Sequence, residues 1–297
     1  MSCRTLLAAL LGGCAALTAC GSGSLPATPG VVRVVAAENV WGDIAKQIGG
    51  DHVEVTSIIA SPTADPHLFE SDPRTAGAIA TAQLVIENGL GYDGFVEKTI
   101  AAVGDHGQRV LSVGDVLDLG RLADVNPHVW YDVPALPEVA AAIARQLSTI
   151  DPADRSAFEG GARRFVASLK PIRSTIAKIR RTYAGTPVGY TERLPADLLD
   201  AAGLEVASPT SFAQAIEDGN DPSPGDLVAF ERVIREHKIK VLIYNAQVTD
   251  PVTRRIRELA VGSGVPVVGM TEMLPPNTTF QAWQLRQARE LLRALGG

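Results

Sequence analysis

The sequence predicts an α/β protein of two lobes, each a mostly parallel sheet flanked by helices, joined by one long spine helix. Three observations predict it. Short β-branched or apolar runs alternate with amphipathic stretches through the first half of the chain. The same rhythm restarts after residue 186, and between the two halves lies one continuous helical stripe. Strands alternating with helices form parallel sheets covered by helices, because each parallel crossover needs a covering segment.

The chain opens on a segment outside both lobes. Arg4 is its only charged residue before Cys20, and the apolar run Leu6 to Ala19 is too short to cross a bilayer securely. A basic start, a short apolar stretch and small residues describe an export signal over residues 1–20. Leu17-Thr18-Ala19-Cys20 resembles a bacterial lipobox, so Cys20 is the expected lipidation site. Residues 21–30, small and containing two prolines, read as a flexible tether. All three cysteines (Cys3, Cys14 and Cys20) lie in the leader, which leaves the folded part no disulfide and no thiolate ligand. Any metal there must be held by His, Asp or Glu. A net charge of −6 without a dense basic stripe argues against nucleic acid as partner.

The first lobe spans 31–150. Its strands are expected at Val31 to Ala37, Val53 to Ala60, Leu84 to Asn88 and Val110 to Val113. Helices are expected at Val40 to Ile48, Pro73 to Ala82 and Pro134 to Ile150. The spine spans 151–185. Phe158, Ala162, Phe165, Leu169, Ile172, Ile176, Ile179 and Tyr183 follow one another at alternating steps of four and three, which is one face of an α-helix. Asp151-Pro152 supplies a cap and a first-turn proline. Gly160-Gly161 weakens the rod and Pro171 is expected to kink it. The second lobe spans 186–297, with strands at Pro187 to Thr191, Leu204 to Ala207, Val241 to Tyr244 and Pro266 to Met270. Its expected helices are Asp226 to Glu236, Val252 to Val261 and Phe280 to Leu295.

Five histidines lie beyond the leader. His52, His106 and His237 sit in turn, loop and helix-end contexts that suggest no chemistry. His67 and His128 each follow a proline, in Asp65-Pro66-His67 and Asn126-Pro127-His128, and proline restrains the backbone so that the imidazole is held with little loop entropy. Because both are in loops, replacing either by alanine is expected to open no core cavity. In the second lobe Glu192 and Glu272 directly follow predicted strands. Open α/β sheets bind ligands at the carboxyl ends of their strands, where His67, Glu192 and Glu272 all lie. Two lobes hinged by a helix could close these four nitrogen and oxygen ligands on one divalent ion.

Five segments carry a closer likeness: Ala36-Ala37-Glu38-Asn39, Asp65-Pro66-His67-Leu68-Phe69-Glu70, Asn88-Gly89-Leu90-Gly91-Tyr92-Asp93, Asn126-Pro127-His128-Val129-Trp130 and Tyr244-Asn245-Ala246-Gln247. In this order the chain resembles the zinc/manganese-type substrate-binding lipoproteins of bacterial ABC importers from Val31 to Leu295. The resemblance implies two α/β lobes on one long helix, with His67 and His128 as metal ligands from the first lobe, Glu192 as the third and Glu272 as the fourth. It also implies Zn2+, Mn2+ or Fe2+ as cargo, a membrane permease as partner, a lipid anchor on the outer side of the membrane, and a monomer without enzymatic activity. The stretch between the histidines lacks the His-rich loop often found in zinc-dedicated members, which points away from zinc alone.

Three other readings compete. A secreted metallohydrolase would use the same ligands plus an unligated base such as Asp132 or Asp65, but no HExxH motif is present. A surface adhesin would carry the metal incidentally. A siderophore or cobalamin binder would need a broad aromatic or Arg-lined cleft.

Overall fold

The structure is a computed structural model that describes residues 30–61, 69–104, 106–121, 125–247 and 250–297. The predicted leader with Cys20, the tether up to residue 29, and His67 with Asp65 lie outside the described residues.

The first lobe runs β1 (Val32–Glu38), α1 (Asn39–Gly49), β2 (Val53–Ile59), α2 (Pro73–Thr81), β3 (Leu84–Glu87), α3 (Phe95–Val103), β4 (Arg109–Ser112), α4 (Val113–Val116) and α5 (Leu136–Ile150). Its four strands are all parallel, in the order β2-β1-β3-β4. β1 reads as an unbroken apolar run, apart from Arg33 and its terminal Glu38, because helices cover both sheet faces. Asp72 caps α2 by accepting from Thr75 N at 2.8 Å, with Pro73 in the first turn, where a missing N–H costs nothing. Leu136, Val139, Ala140, Ile143, Ala144 and Leu147 form the buried stripe of α5.

The predicted spine is two helices meeting at Leu169, α6 (Arg155–Ser168) and α7 (Lys170–Tyr183). The whole stripe from Phe158 to Ile179 is buried and Tyr183 is half-buried. Pro171 is accommodated where the helix is already interrupted. Leu169 N donates to Val166 O at 3.3 Å, a tightened i−3 turn, and Pro171 falls in the first turn of α7. The expected start is corrected as well: Asp151 caps a separate 3-10 turn, Pro152–Asp154, ahead of α6. Gly161 proves to be a packing requirement. A Cβ there would lie 2.1 Å from Ile48 O, so only glycine lets α6 lie against the end of α1.

The second lobe runs β5 (Pro187–Tyr190), α8 (Ala196–Ala201), β6 (Glu205–Val206), α9 (Thr210–Glu217), α10 (Pro224–Arg235), β7 (Leu242–Asn245), α11 (Pro251–Gly262), β8 (Val267–Met270) and α12 (Phe280–Leu295). The sheet is again parallel, in the order β6-β5-β7-β8. Both sheets therefore reverse direction of winding between their two central strands, the place where open α/β sheets leave a crevice. The sequence reading missed α3, α4, α8 and α9, each nine residues or fewer and too short for a clear 3.6-residue period.

The lobes share one core. Trp41, Trp130 and Tyr131 of the first, Phe165 and Ile176 of the spine, and Phe280 and Trp283 of α12 belong to one buried cluster. Hydrogen bonds cross between the lobes beside it. The Asn39 carboxamide donates to Leu274 O and accepts from Leu274 N, each at 2.9 Å, and Asp43 accepts from Phe280 N at 2.9 Å.

Replacing Gly161 by Ala is expected to destabilise the protein by about 1–3 kcal/mol through overpacking against backbone. Gly160→Ala meets only the flexible end of Arg164 and is expected to gain up to about 1 kcal/mol of helix propensity. Urea denaturation of the pair checks this, and equal effects would refute the packing account.

Candidate metal centre

His128 follows the Pro127 turn and starts a 3-10 turn, Val129–Tyr131. The loop is tied to the first sheet by Asn88, whose Nδ2 donates to Pro127 O at 2.8 Å. Asn126 orients the imidazole. Its Nδ2 donates to Asp197 Oδ2 at 2.9 Å, which turns its Oδ1 toward His128 Nδ1 at 2.8 Å. An oxygen facing Nδ1 requires the proton on Nδ1, so Nε2 takes the form that can ligate. That Nε2 lies 3.7 Å from Glu272 Oε2. Contrary to the loop expectation, His128 is fully buried, edge-on to Trp130 and Tyr92 with ring centroids 5.5 and 5.6 Å away.

The two carboxylates come from the second sheet. Glu192 follows Thr191 at the end of β5. Its neighbour Arg193 pins the turn by donating to Glu217 of α9 through both N, at 2.5 Å, and Nε, at 2.8 Å. Glu272 follows Thr271 at the end of β8. Thr271 N donates to Gln287 Oε1 at 2.8 Å, and Tyr131 OH donates to Thr271 O at 2.8 Å. Tyr92 OH donates to Glu272 Oε2. Burial, and then the charge of Glu272, push the Tyr92 phenol well above its usual value, so it stays a donor. Between the carboxylates stands Asn245, the last residue of β7, with Nδ2 donating at 2.7 Å both to Glu192 Oε2 and to Glu272 Oε1.

His128 and Glu272 are 0% exposed, Glu192 is 1% and Asn245 is 2%. Three of the four predicted ligands thus gather from two lobes into one dry cluster, and His67 lies outside the described residues. Among the described residues no group of three or more His, Cys, Asp or Glu side chains is arranged to hold an ion by itself. Asn245 stands between Glu192 and Glu272 and hydrogen-bonds to both. His52 pairs with Asp154, His106 contacts Val103 O, and His237 lies in the turn after α10; none of these contacts involves the cluster. The positioning residues Tyr92, Asn126 and Asn245 were visible only as parts of motifs. For Asn245, its place as the last residue of β7 beside the winding reversal was the usable signal.

A second set of carboxyls lies behind Tyr92. Glu38, ending β1, is fully buried; burial and then the charge of Asp93 push it well above the usual range. Burial raises Asp93 to about 6 against the opposing amides of Asn88 and Gly89, and raises Glu87 to about 7. Across the interface, burial and then Asp132 raise Asp197 to about 6.

With this geometry in place, the comparisons with known proteins are direct. The family described as zinc-uptake complex component A, periplasmic, matches residues 34–294. The chain belongs to this family. Among individual relatives it is 29% identical over 171 residues to the manganese-binding lipoprotein MntA of Bacillus subtilis, covering 56% of each chain, so the match spans little more than half of that protein. It is 24% identical over 264 residues to the manganese ABC transporter substrate-binding lipoprotein PsaA of Streptococcus pneumoniae, covering 84% of this chain and 83% of that one. The fold matches the solved periplasmic zinc-binding protein TroA of Treponema pallidum with a TM-score of 0.77 at 17% identity, covering 90% of this chain and all of that one. The chain thus shares the two-lobe fold of this solved binding protein.

The raised carboxyls predict an unusual pH dependence for the metal-free protein. Groups that keep protons to about pH 6–7 when folded, but release them near pH 4 when unfolded, make the native state the better proton binder in that window. Their stabilisation is present at low pH and lost as pH rises through the folded values. The melting temperature in chelator is expected to be higher at pH 5 than at pH 8, with Glu87→Gln flattening the slope. A melting temperature that climbs from pH 5 to 8 would contradict the assignment.

Proposed function

We propose that this protein captures a divalent transition-metal ion outside the cytoplasm and delivers it to the permease of an ABC importer. The observation that carries this is the meeting of His128 from one lobe with Glu272 and Glu192 from the other, at strand carboxyl ends, in a family named for zinc uptake. His67 supplies the fourth ligand, as the family resemblance implies. Cys20 carries the lipid that holds the protein at the membrane, as the names of the lipoprotein relatives suggest for those proteins. No helix among the described residues is long and apolar enough to cross a membrane. The protein works as a monomer, since both lobes of one chain provide the ligand set.

Capture rather than catalysis fits the environment of these side chains. A catalytic metal keeps an open position for water or substrate, whereas His128, Glu192 and Glu272 are all buried. Asp132, one of the two candidates for the base a hydrolase would need, accepts from Ala135 N and closes a turn. Zn2+, Mn2+ and Fe2+ all suit a nitrogen and oxygen set without thiolate.

Elemental analysis is expected to find about one ion per chain. A ligand that binds only the folded state stabilises it by about 4 kcal/mol at a thousandfold excess over Kd, so the melting temperature should rise with Mn(II) or Zn(II). A melting curve indifferent to both would overturn the proposal. His128→Ala is expected to abolish tight binding. It is also expected to cost on the order of 3 kcal/mol of metal-free stability, since a buried ring leaves a cavity. Titration calorimetry giving the variant unchanged affinity would remove His128 from the ligand set.

Metal preference follows ligand chemistry. The same donors hold Zn(II) more tightly than Mn(II) in the general affinity order. Excess Zn(II) is therefore expected to displace Mn(II) in a competition titration, and failure to do so would mean that the closed lobes impose a geometry that overrides the order.

A further inference from the structure

We infer that Asn245 is the positioning residue of the metal centre. Its single carboxamide clamps both carboxylates, setting their separation and orientation and, through them, affinity and metal preference. The inference rests on the reading of Glu192 and Glu272 as ligands and extends it to a residue that is itself no ligand.

The geometry assigns the clamp in three steps. First, the carboxamide cannot be turned around. Gln247 N donates to Asn245 Oδ1 at 3.0 Å, which commits the oxygen and leaves Nδ2, with its two hydrogens, for the two carboxylates at 2.7 Å each. Second, the clamp is mounted rigidly. Asn245 N donates to Thr191 Oγ1 at 3.2 Å, and the residue sits in the β7–β8 ladder opposite Met270. The carboxamide is thus tied to the strand end before each glutamate. Third, Gln247 closes the circuit, because its Oε1 accepts from Glu272 N at 2.5 Å and Met273 N at 2.8 Å. One network therefore joins the ends of β5, β7 and β8.

Two buried carboxyl groups sharing one donor need partners of fixed orientation, and the single Nδ2 of Asn245 serves both before a cation arrives. A donor of fixed length also limits how far the oxygens can part, and hence how large an ion they can grip. Outer partners of metal ligands commonly tune affinity in this way.

The test uses the full chain, with Mn(II) and Zn(II) themselves as probes. Asn245→Leu keeps the volume but removes the donor, and Asn245→Asp keeps the shape but puts a third anion in its place. The Leu variant is expected to raise both Kd values about 10- to 100-fold, by unequal factors for the two metals. It should also alter the EPR spectrum of bound Mn(II), a signature that general destabilisation would not move. The Asp variant, which covers the case of a misfolded Leu variant, is expected to melt earlier than wild type in chelator and to gain a larger increment on adding metal. Wild-type affinities, Mn-to-Zn ratio and spectrum in the Leu variant, or wild-type melting behaviour in the Asp variant, overturn the inference. Glu192→Ala and Glu272→Ala separate the two levels. If they lose binding while Asn245→Leu keeps it, only the clamp fails; if they bind normally, the ligand assignment fails and the clamp with it.

Discussion

Two carboxylates held on one carboxamide, inside a cluster from which water is excluded, set the terms for much of the carboxyl edge of both sheets. An anion buried without compensation is far more costly than one in water, so each must meet donors of fixed orientation. Glu272 meets Asn245 and the Tyr92 hydroxyl, and Glu192 meets Asn245. Each donor is in turn fixed by others: Asn245 by Thr191 and Gln247, and the turn before Glu272 by Tyr131, Gln287 and Trp283. Polar networks of this kind hold one arrangement only when every member is satisfied.

The same contacts make the cluster a joint between lobes. Tyr92, Asn126 and His128 belong to the first sheet's loops, while Glu272, Asn245 and Asp197 belong to the second lobe. At the other side of the interface, Asn39 pairs with Leu274 as a strand backbone would, and Asp43 receives the first amide of α12. The spine, bent at Leu169, packs against α12 and so carries the second lobe's last helix against the first lobe. Opening the lobes requires breaking polar contacts at two places and moving a helix that shares the common core. The ligand set and the interdomain geometry are therefore coupled by construction.

Behind Tyr92, the carboxyls of Glu38, Asp93 and Glu87 hold protons at pH values where exposed acids have lost them. Their arrangement follows from topology. Parallel strands β1 and β3 end side by side at the winding reversal, and the polar residues that terminate them share one small buried volume. Neutralising carboxyls by protonation is how such a cluster stays buried without a cation partner.

Much of the fold was legible in the sequence because it rests on period and burial. Both central sheets, the longer helices and the stripe of the spine follow from apolar spacing that solvent exclusion enforces wherever the residues lie in space. Strand ends were legible too, and with them the positions of Glu192 and Glu272, because the carboxyl edge of a parallel sheet is where its ligands gather. Pro171 marked the place where the spine bends, whereas the local signal of Gly161 was seen but misread. A proline can begin a helix as well as bend it, and a glycine's value depends on what approaches it, here the Ile48 carbonyl. Only the tertiary structure decided that His128 is buried among aromatics, that Asp197 of the other lobe orients the Asn126 carboxamide facing it, and that Asn245 stands between two acids 27 and 53 residues away. Those contacts join groups distant in sequence, and their energies depend on distance and desolvation. Neither quantity exists until the chain has folded.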